Sequence, residues 1–437
     1  MKLSKLELVN FHRFERFSIT FDDQLTVLVG ENGSGKSSLL AAARTALAAF
    51  FAGIDGAPAS GIVESDARFI TYENAGVFDR QAQYPVRISA SGVLMGEKVA
   101  WARSLNSPKG RTTRSDSKDV TKIARDCSKR VMNGDTTLVL PLISYYGTGR
   151  LWAKKQHQNN DVRPFTRLDG YAGALDAETD DYLLLSWFKK MTIQELQRAR
   201  QAGDGVGEIA SFSVVKQAIE QCFSLISGIE DAQVDFDFDA NDLLVVYRTP
   251  EGEVQSLPLG YFSDGYRTTL SMVADIAYRM ALLNPGLADA VVKETPGVVL
   301  IDEVDLHLHP LWQARILGDL RAIFPKIQFI VTTHAPVVIS SVRASHIRKL
   351  SVDSEEPITP QGEIYGGDLG RILGDLMDAQ ERPEDVRNMF DEFYSKLDAG
   401  SFAAAEEVLQ KLVDTIGEDD SDVVAAQTAL LLERDTL

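Results

Sequence analysis

The stretch Leu25–Ser38, LTVLVGENGSGKSS, carries the residues with the clearest chemistry in this chain. Gly30, Gly35, Lys36 and Ser37 fit the spacing G-x-x-x-x-G-K-[ST], with Glu31, Asn32, Gly33 and Ser34 between them and Ser38 after. A glycine-rich backbone can curl until its N–H groups converge on phosphate oxygens, and a helix N-terminus behind them adds its dipole. In such a loop Lys36 reaches the β/γ-phosphates and the Ser37 hydroxyl ligates Mg²⁺. The motif implies a nucleotide as ligand, with Mg²⁺. Leu25–Val29 has the length and β-branched content of a buried strand, and an amphipathic run follows from Ser38 to Phe51. Strand, glycine turn and helix are the context the motif requires.

Two further segments have the same build, an apolar run that ends in polar residues. Val298–Ile301 leads to Asp302 and Glu303, and Gln328–Thr333 leads to His334. Open α/β sheets bind ligands beyond the carboxyl ends of their strands. An apolar strand ending in aspartate resembles the Walker-B element of phosphate-loop ATPases, which implies that Asp302 stands in a Mg²⁺ shell. Between the phosphate loop and these strands, Gly260–Arg267 (GYFSDGYR) ends a loop before a helix with Leu270, Val273, Ala274, Ala277 and Met280 on one side.

These elements sit in a chain of 437 residues, 44% apolar, with room for two or three domains. Cys127 and Cys222 lie far apart and outside any CxxC or Cys/His spacing, which excludes a disulfide framework or structural zinc and suits a reducing cytosol. No apolar run approaches the ~20 residues of a membrane span and no signal core opens the chain, so the expected location is cytoplasmic, away from membranes. The net charge of −18 argues against a uniformly basic surface, yet residues 381–437 alone hold fifteen Asp/Glu against five Lys/Arg. A local basic groove is still compatible with that balance.

Residues 1–38 resemble the opening of RecF- and SMC-type ATPases of the ABC class, in which L-x-L-x-N-F precedes the phosphate loop; here Leu6, Leu8, Asn10 and Phe11 carry it. In that family this β element leans over the nucleotide, which implies that Arg13 or Phe11 contacts the base or ribose; a core phenylalanine and a solvated arginine is the other reading. Phe262–Tyr266 resembles the ABC signature, with Ser263 and Gly265 kept and Asp264 and Tyr266 as departures. By the same resemblance Asp302 is the Walker-B aspartate, Glu303 the base that polarises the attacking water, Asp305–Pro310 the D-loop, and His334 the switch histidine that senses the γ-phosphate. The family also uses a glutamine to sense Mg²⁺, for which Gln81 and Gln83 are the positional candidates. His307 and His309 are read as contacts across a dimer interface, since no further ligand-type residue has metal spacing nearby.

The expected fold is α/β: an ABC-type phosphate-loop ATPase head over residues 1–350, built from a phosphate-loop lobe at 1–51, an inserted β/helical lobe at about 52–260 and a signature-to-switch part at 261–350. A link at 351–367 and a helical domain at 368–437 follow. Within the insert, strands are expected at Val86–Arg103 and Leu138–Tyr146, and helices at Asp119–Val131, Tyr182–Gln201 and Phe212–Ile226. A hairpin is expected at Val234–Val254. Asp235, Asp237 and Asp239 alternate with Phe236 and Phe238; a metal site and a wet strand face with phenylalanines inward are the two readings, the second favoured by the strand pattern. Lys109, Arg111, Arg114, Lys118, Lys122, Arg125, Lys129 and Arg130, then Lys154, Lys155, Arg163 and Arg167, form either a track for a DNA or RNA backbone or an ordinary solvated face.

No coiled-coil heptads are sustained, which leaves the compact RecF-like group. VLVGENGSGKSS, YYGTGR, FSDGYR, LIDEVDLHLHPLWQ and FIVTTHAP together look most like stand-alone bacterial defence ATPases, namely the ATPase subunit of Septu systems, PtuA, and its retron-associated relatives. That resemblance implies an ATP-hydrolysing subunit that forms a homodimer or higher oligomer through ATP-sandwiched heads. It also implies a separate HNH-type nuclease docked on the C-terminal helices, since no nuclease pattern is visible in this chain. A RecF-like repair or clamp ATPase without a nuclease, and a scaffold in which ATP holds heads together, are the alternatives.

Overall fold

Runs such as Leu25–Val29 and Val298–Ile301 show no regular alternation of apolar and polar residues, the pattern of strands buried on both faces in a parallel sheet. The computed structural model of the chain describes residues 1–74, 77–151, 165–176, 181–202, 207–352, 354–377 and 382–435. The chain divides into two units, Met1–Ile372 and Leu373–Leu437.

In the first unit, β1 (Lys2–Phe11) and β2 (Phe14–Thr20) form a hairpin, followed by β3 (Leu25–Val29) and α1 (Lys36–Phe51). A ribbon of β4 (Phe69–Asn74) and β5 (Val77–Ala82) comes next, then β6 (Val86–Leu94), β7 (Glu97–Leu105), α2 (Lys118–Met132) and β8 (Leu142–Tyr146). Helices α3 (Asp181–Ala202) and α4 (Ala210–Ser227) lead to β9 (Gln233–Asp237), β10 (Asp242–Arg248) and β11 (Val254–Pro258). After α5 (Asp264–Leu283) and the short α6 (Val291–Glu294) come β12 (Gly297–Ile301), α7 (Pro310–Gln313), α8 (Ile316–Ile323), β13 (Ile327–Thr332), α9 (Pro336–Ser340) and β14 (Ile347–Lys349).

Five strands make the central sheet in the order β14-β3-β13-β12-β8, every pair parallel. All residues of β3, β12 and β13 are buried. Because the strands are parallel, the loops that leave β3, β12, β13 and β8 emerge at one edge, bringing Gly30, Asp302, Thr333 and Gly147 to the same side. A second, antiparallel sheet has the order β2-β1-β6-β7, so β6 and β7, drawn from the region read as an insertion, complete the sheet begun by the N-terminal hairpin. This is the α/β architecture of an ABC-type phosphate-loop ATPase head with an added helical lobe. No described helix is long and apolar enough to cross a membrane.

Several expected elements differ in detail. Leu138–Pro141 does not join the sheet, because Leu140 exchanges its backbone bonds with the Asn284 side chain (2.7 and 2.9 Å), and β8 begins only at Leu142. The hairpin at Val234–Val254 is a three-stranded meander, β11-β10-β9. Phe236 is buried but Phe238 is 46% exposed, since β9 ends at Asp237, whose carboxylate accepts from the backbone N–H of Asp239 and Ala240 and closes the turn. After the D-loop segment the chain forms two short helices, α7 and α8, in place of one continuous helix.

Helix α5 is buried on nearly all sides from Thr268 onward, yet it carries two charges. Arg279 Nε donates to Asp275 at 2.7 Å, and the Tyr146 hydroxyl at the end of β8 donates to the same carboxylate oxygen at 2.8 Å. The rest of the guanidinium donates to the Gly170 and Ala172 carbonyls. Both charged side chains are under 5% exposed.

The second unit packs its own core. Helix α10 (Leu369–Met377) spans the division, and α11 (Glu384–Asp398), α12 (Phe402–Ile416) and α13 (Ser421–Asp435) bury Phe393, Leu397, Val408, Leu412, Val423 and Ala426 together. Arg382 ties the start of this bundle to Asp420 and Asp422.

Removing one member of a buried ion pair strands the other charge and costs about 3–5 kcal/mol. Asp275→Ala is therefore expected to lower unfolding free energy by that order in a urea titration. Asp275→Ala combined with Arg279→Met should recover a large part of the loss, and equal destabilisation of the two variants would refute the ion-pair account.

Candidate active site

The phosphate loop is shaped by backbone conformations and close approaches that side chains would spoil. Gly30 has φ +141°, and a Cβ there would lie 2.4 Å from the Leu350 carbonyl oxygen beyond β14. Gly35, at φ +97°, would place a Cβ 2.5 Å from the Phe14 ring and 2.9 Å from Arg13 Cδ. The β1–β2 turn thus leans over the loop, and Arg13 Nη1 donates to the Gly33 carbonyl at 3.0 Å while Nη2 donates to Val352. Phe11 is 1% exposed, so of the two residues expected to face a base it is the core one.

Gly35 caps α1 with no side-chain bond to its first N–H groups, and the first turn holds no acidic residue. Ser34 is fully buried and its Oγ has no partner. Lys36 is 5% exposed and donates to the Gly30 and Glu31 carbonyls, 2.8 Å each. Burial lowers its pKa to about 8 against the opposing pull of Asp302 and Glu303. Unfilled donors, an orphaned hydroxyl and a desolvated ammonium in one curl fit a bound polyphosphate. Ser38 follows on α1, half-buried.

Asp302 is 5% exposed at the end of β12. Its Oδ1 accepts from the Thr332 hydroxyl at 2.6 Å and from the Ser37 hydroxyl at 3.2 Å. The Thr332 hydroxyl in turn accepts from the Glu303 N–H at 2.7 Å. A carboxylate and a hydroxyl so placed can share a hard divalent cation, which fits Mg²⁺. Glu303 takes φ +49°, an uncommon conformation for a non-glycine residue that turns the chain sharply at the sheet edge. His334 follows β13, where burial first and the Lys36 ammonium second lower its pKa, with Asp305, Glu303 and Asp302 opposing. Its imidazole is therefore neutral at pH 7. Thr333 donates to Asp305 at 2.6 Å, fixing the D-loop to the same edge.

The structure thus brings Gly30–Ser37, Arg13, Asp302, Glu303 and His334 together. Among the described residues, neither Ser263 nor Gly265 hydrogen-bonds to Gly30–Ser37, Asp302, Glu303 or His334. Ser263 caps α5 with its side chain exposed and unbonded, and a Cβ on Gly265 would meet the His307 carbonyl oxygen at 2.6 Å. His309 caps α7 through its Nδ1, and both D-loop histidines are exposed. Gln81 and Gln83 bond within their own ribbon, to Asp79 and to the Gln81 carbonyl, and neither bonds to the phosphate loop or Asp302. Instead the Asp302 N–H donates to the Tyr146 carbonyl at 2.8 Å, so the loop opening at Gly147 borders the site. Lys154, Lys155 and Arg163 lie outside the described residues; Arg167 is tied down by the carbonyls of Asp135, Leu138 and Leu283 and is no part of an open track. Sequence reasoning missed the part played by Thr332, although polar residues closing an apolar strand were its signal.

Protonated Lys36 suits phosphate oxygens, and its pKa of about 8 sets where that is lost. Below pH 8 the ammonium is present before binding, so ATP affinity should be flat between pH 7 and 7.5. Above pH 8 binding must take up a proton, and affinity should fall by up to tenfold per pH unit. Titration calorimetry with ATP from pH 7 to 9.5 checks this; a flat profile to pH 9.5 would contradict it.

An AAA domain family model matches residues 5–224, and a second AAA domain model matches residues 177–340. The chain is 24% identical to "Retron Ec83 probable ATPase" of Escherichia coli, over 97% of this chain and 85% of that protein. It is 24% identical to "Retron Vc95 probable ATPase" of Vibrio cholerae serotype O1 biovar El Tor, over 88% and 80%. To the Septu protein PtuA of Bacillus thuringiensis it is 30% identical, over 35% of this chain and 40% of that one. Among solved structures, the SMC head domain from Thermotoga maritima overlaps 83% of this chain and all of its own, at 16% identity and a TM-score of 0.42. That overlap is loose, and the fold assignment rests on the sheet order and loops described above. This chain belongs to the AAA domain family and is an ATPase related to the retron probable ATPases and to the Septu protein PtuA.

Proposed function

We propose that the chain binds ATP with Mg²⁺ between the phosphate loop and Asp302, and hydrolyses it in paired heads as the ATPase subunit of an anti-phage defence assembly. The observation that carries the chemistry is the Asp302 carboxylate held by both Ser37 and Thr332. Gly30–Ser37 cradle the phosphates, Lys36 neutralises the β/γ oxygens, and Ser37 and Asp302 hold the cation. When bound there, Mg²⁺ would supply charge stabilisation to the phosphates. Glu303 accepts the proton of the attacking water, and neutral His334 donates to a γ-phosphate oxygen. Arg13, bonded to Gly33, covers the nucleotide side of the loop.

Pairing is supported by what one head lacks. Ser263 is exposed and unbonded while Gly265 packs on the D-loop of its own head. A two-fold arrangement lets Ser263 and Gly265 of one protomer close on the phosphate loop of another, giving two equivalent sites. Likeness to Septu and retron ATPases supports a separate nuclease as partner, with the helices after residue 368 as its docking surface; the work takes place in the cytoplasm.

Glu303→Gln should keep ATP affinity and lose turnover by about 10²-fold or more, and it should scatter more light with ATP as pairs accumulate. Ser263→Arg should also be inactive, but mixing it with Lys36→Ala protein should partly restore hydrolysis, since one site of the mixed pair is whole. Absence of rescue at any mixing ratio, with mixed pairs demonstrated, would rule out the shared site.

A further inference from the structure

At the opposite edge of the central sheet from the phosphate loop lies a cavity of about 360 Å³. Leu25, the first residue of β3, lines it with Leu317 and Val342, and these three buried side chains form an apolar wall. The length of β3, about 16 Å, separates that wall from Gly30. Three basic side chains from separate segments join the lining: Arg321 of α8, Arg343 after α9, and His346 just before β14. Among the described residues no Asp or Glu lines it, in a chain of net charge −18. Arg343 is exposed, and its side chain bonds to no described residue. Arg321 donates from one guanidinium nitrogen to Gln24 Oε1 at 3.0 Å, which uses one of its five donors. Asp22 Oδ2 stands 3.4 Å from His346 Nδ1, but neither arginine has an ion pair among the described residues.

One residue of the lining is not explained by packing. Gly318 lies in α8 without a positive φ, so its backbone does not call for glycine. A Cβ there would meet no atom within 4 Å, so no neighbour excludes a side chain either. Glycine in a helix is less stable than alanine, and here it leaves the helix backbone open to the cavity. Tyr365, 64% exposed, adds an aromatic ring to the lining. Its loop is held to α9 by the Gly366 N–H, which donates to the Ser340 carbonyl at 2.8 Å.

We propose that this cavity is a second anion site, built for a phosphomonoester of about mononucleotide size. Guanidinium forks match the oxygens of a phosphate, and two of them with an imidazole alongside suit a dianion. The volume falls within the range of small-molecule pockets and exceeds what a bare phosphate fills. The apolar wall and Tyr365 receive the rest of the molecule, ring against ring where it carries one. Neither Lys36 nor Asp302 lines this cavity, so the site is separate from the one proposed for ATP and stands or falls without it.

The experiment is titration calorimetry of the full chain, without Mg²⁺, using inorganic phosphate, ribose 5-phosphate and adenosine 5′-monophosphate as probes. Adenosine 5′-monophosphate should bind tightest and inorganic phosphate weakest. Arg321→Gln and Arg343→Gln should each weaken its binding about tenfold or more, the usual loss for a hydrogen bond to a charged group. Gly318→Leu should abolish binding by filling the space, yet melt no lower than the native chain, because leucine is the better helix former. Lys36→Ala should bind the probes as the native chain does. The site is overturned if no probe binds at about 10 mM, or if affinity is lost in Lys36→Ala and kept in Arg343→Gln. Native affinity in Gly318→Leu overturns it as well, and equal affinity for the three probes contradicts an occupant of mononucleotide size.

Discussion

The structure turns on one carboxylate. Asp302 Oδ1 accepts from Ser37, which opens the helix behind the phosphate loop, and from Thr332, which closes the neighbouring strand. Thr332 also accepts the Glu303 N–H, so three segments far apart in sequence are pinned at one point. Asp302 is nearly buried, and a buried carboxylate is tolerated only with such partners. Lys36 answers its charge from within the loop. If the carboxylate moved, Ser37, Glu303 and the turn carrying His334 would lose their common reference.

Everything around that point follows from parallel pairing. With β3, β13 and β12 adjacent and in register, their last residues emerge side by side. Ridges of backbone then shape the loop: Leu350 presses on Gly30, and Phe14 with Arg13 presses on Gly35, so the positions that need glycine are those where another strand arrives. On the far side of β12, the Tyr146–Asp275–Arg279 cluster ties the sheet edge to α5, the helix that Ser263 caps. A movement of that helix would therefore be felt at β8, beside Asp302. This gives a physical route between the Ser263 end of α5 and the Asp302 edge of the sheet.

The parts legible in sequence were those where composition and spacing coincide. The phosphate loop, the apolar strands ending at Asp302 and His334, and the helices at Asp181–Ala202, Ala210–Ser227 and Phe402–Ile416 all carry periodic signals that local physics enforces. What could not be read depends on tertiary partners. Nothing local says that Asn284 occupies the backbone of Leu140, or that β6 and β7 join β1. The glutamines at 81 and 83 had only sequence position in their favour, and they belong to a ribbon bonded to itself. Arg13 was named by resemblance alone, and its bonds to Gly33 and Val352 arise only once the hairpin folds over the loop.

The central claim is that Thr332 aligns the cation ligand and the base together. Its most direct test is phosphate release under saturating ATP and Mg²⁺ by Thr332→Val, a change that keeps shape but removes the hydroxyl. The account expects ATP affinity within about threefold of native, because the loop is intact, and turnover reduced on the order of 10²-fold, as for loss of one aligned catalytic group. Native turnover in that variant would contradict it.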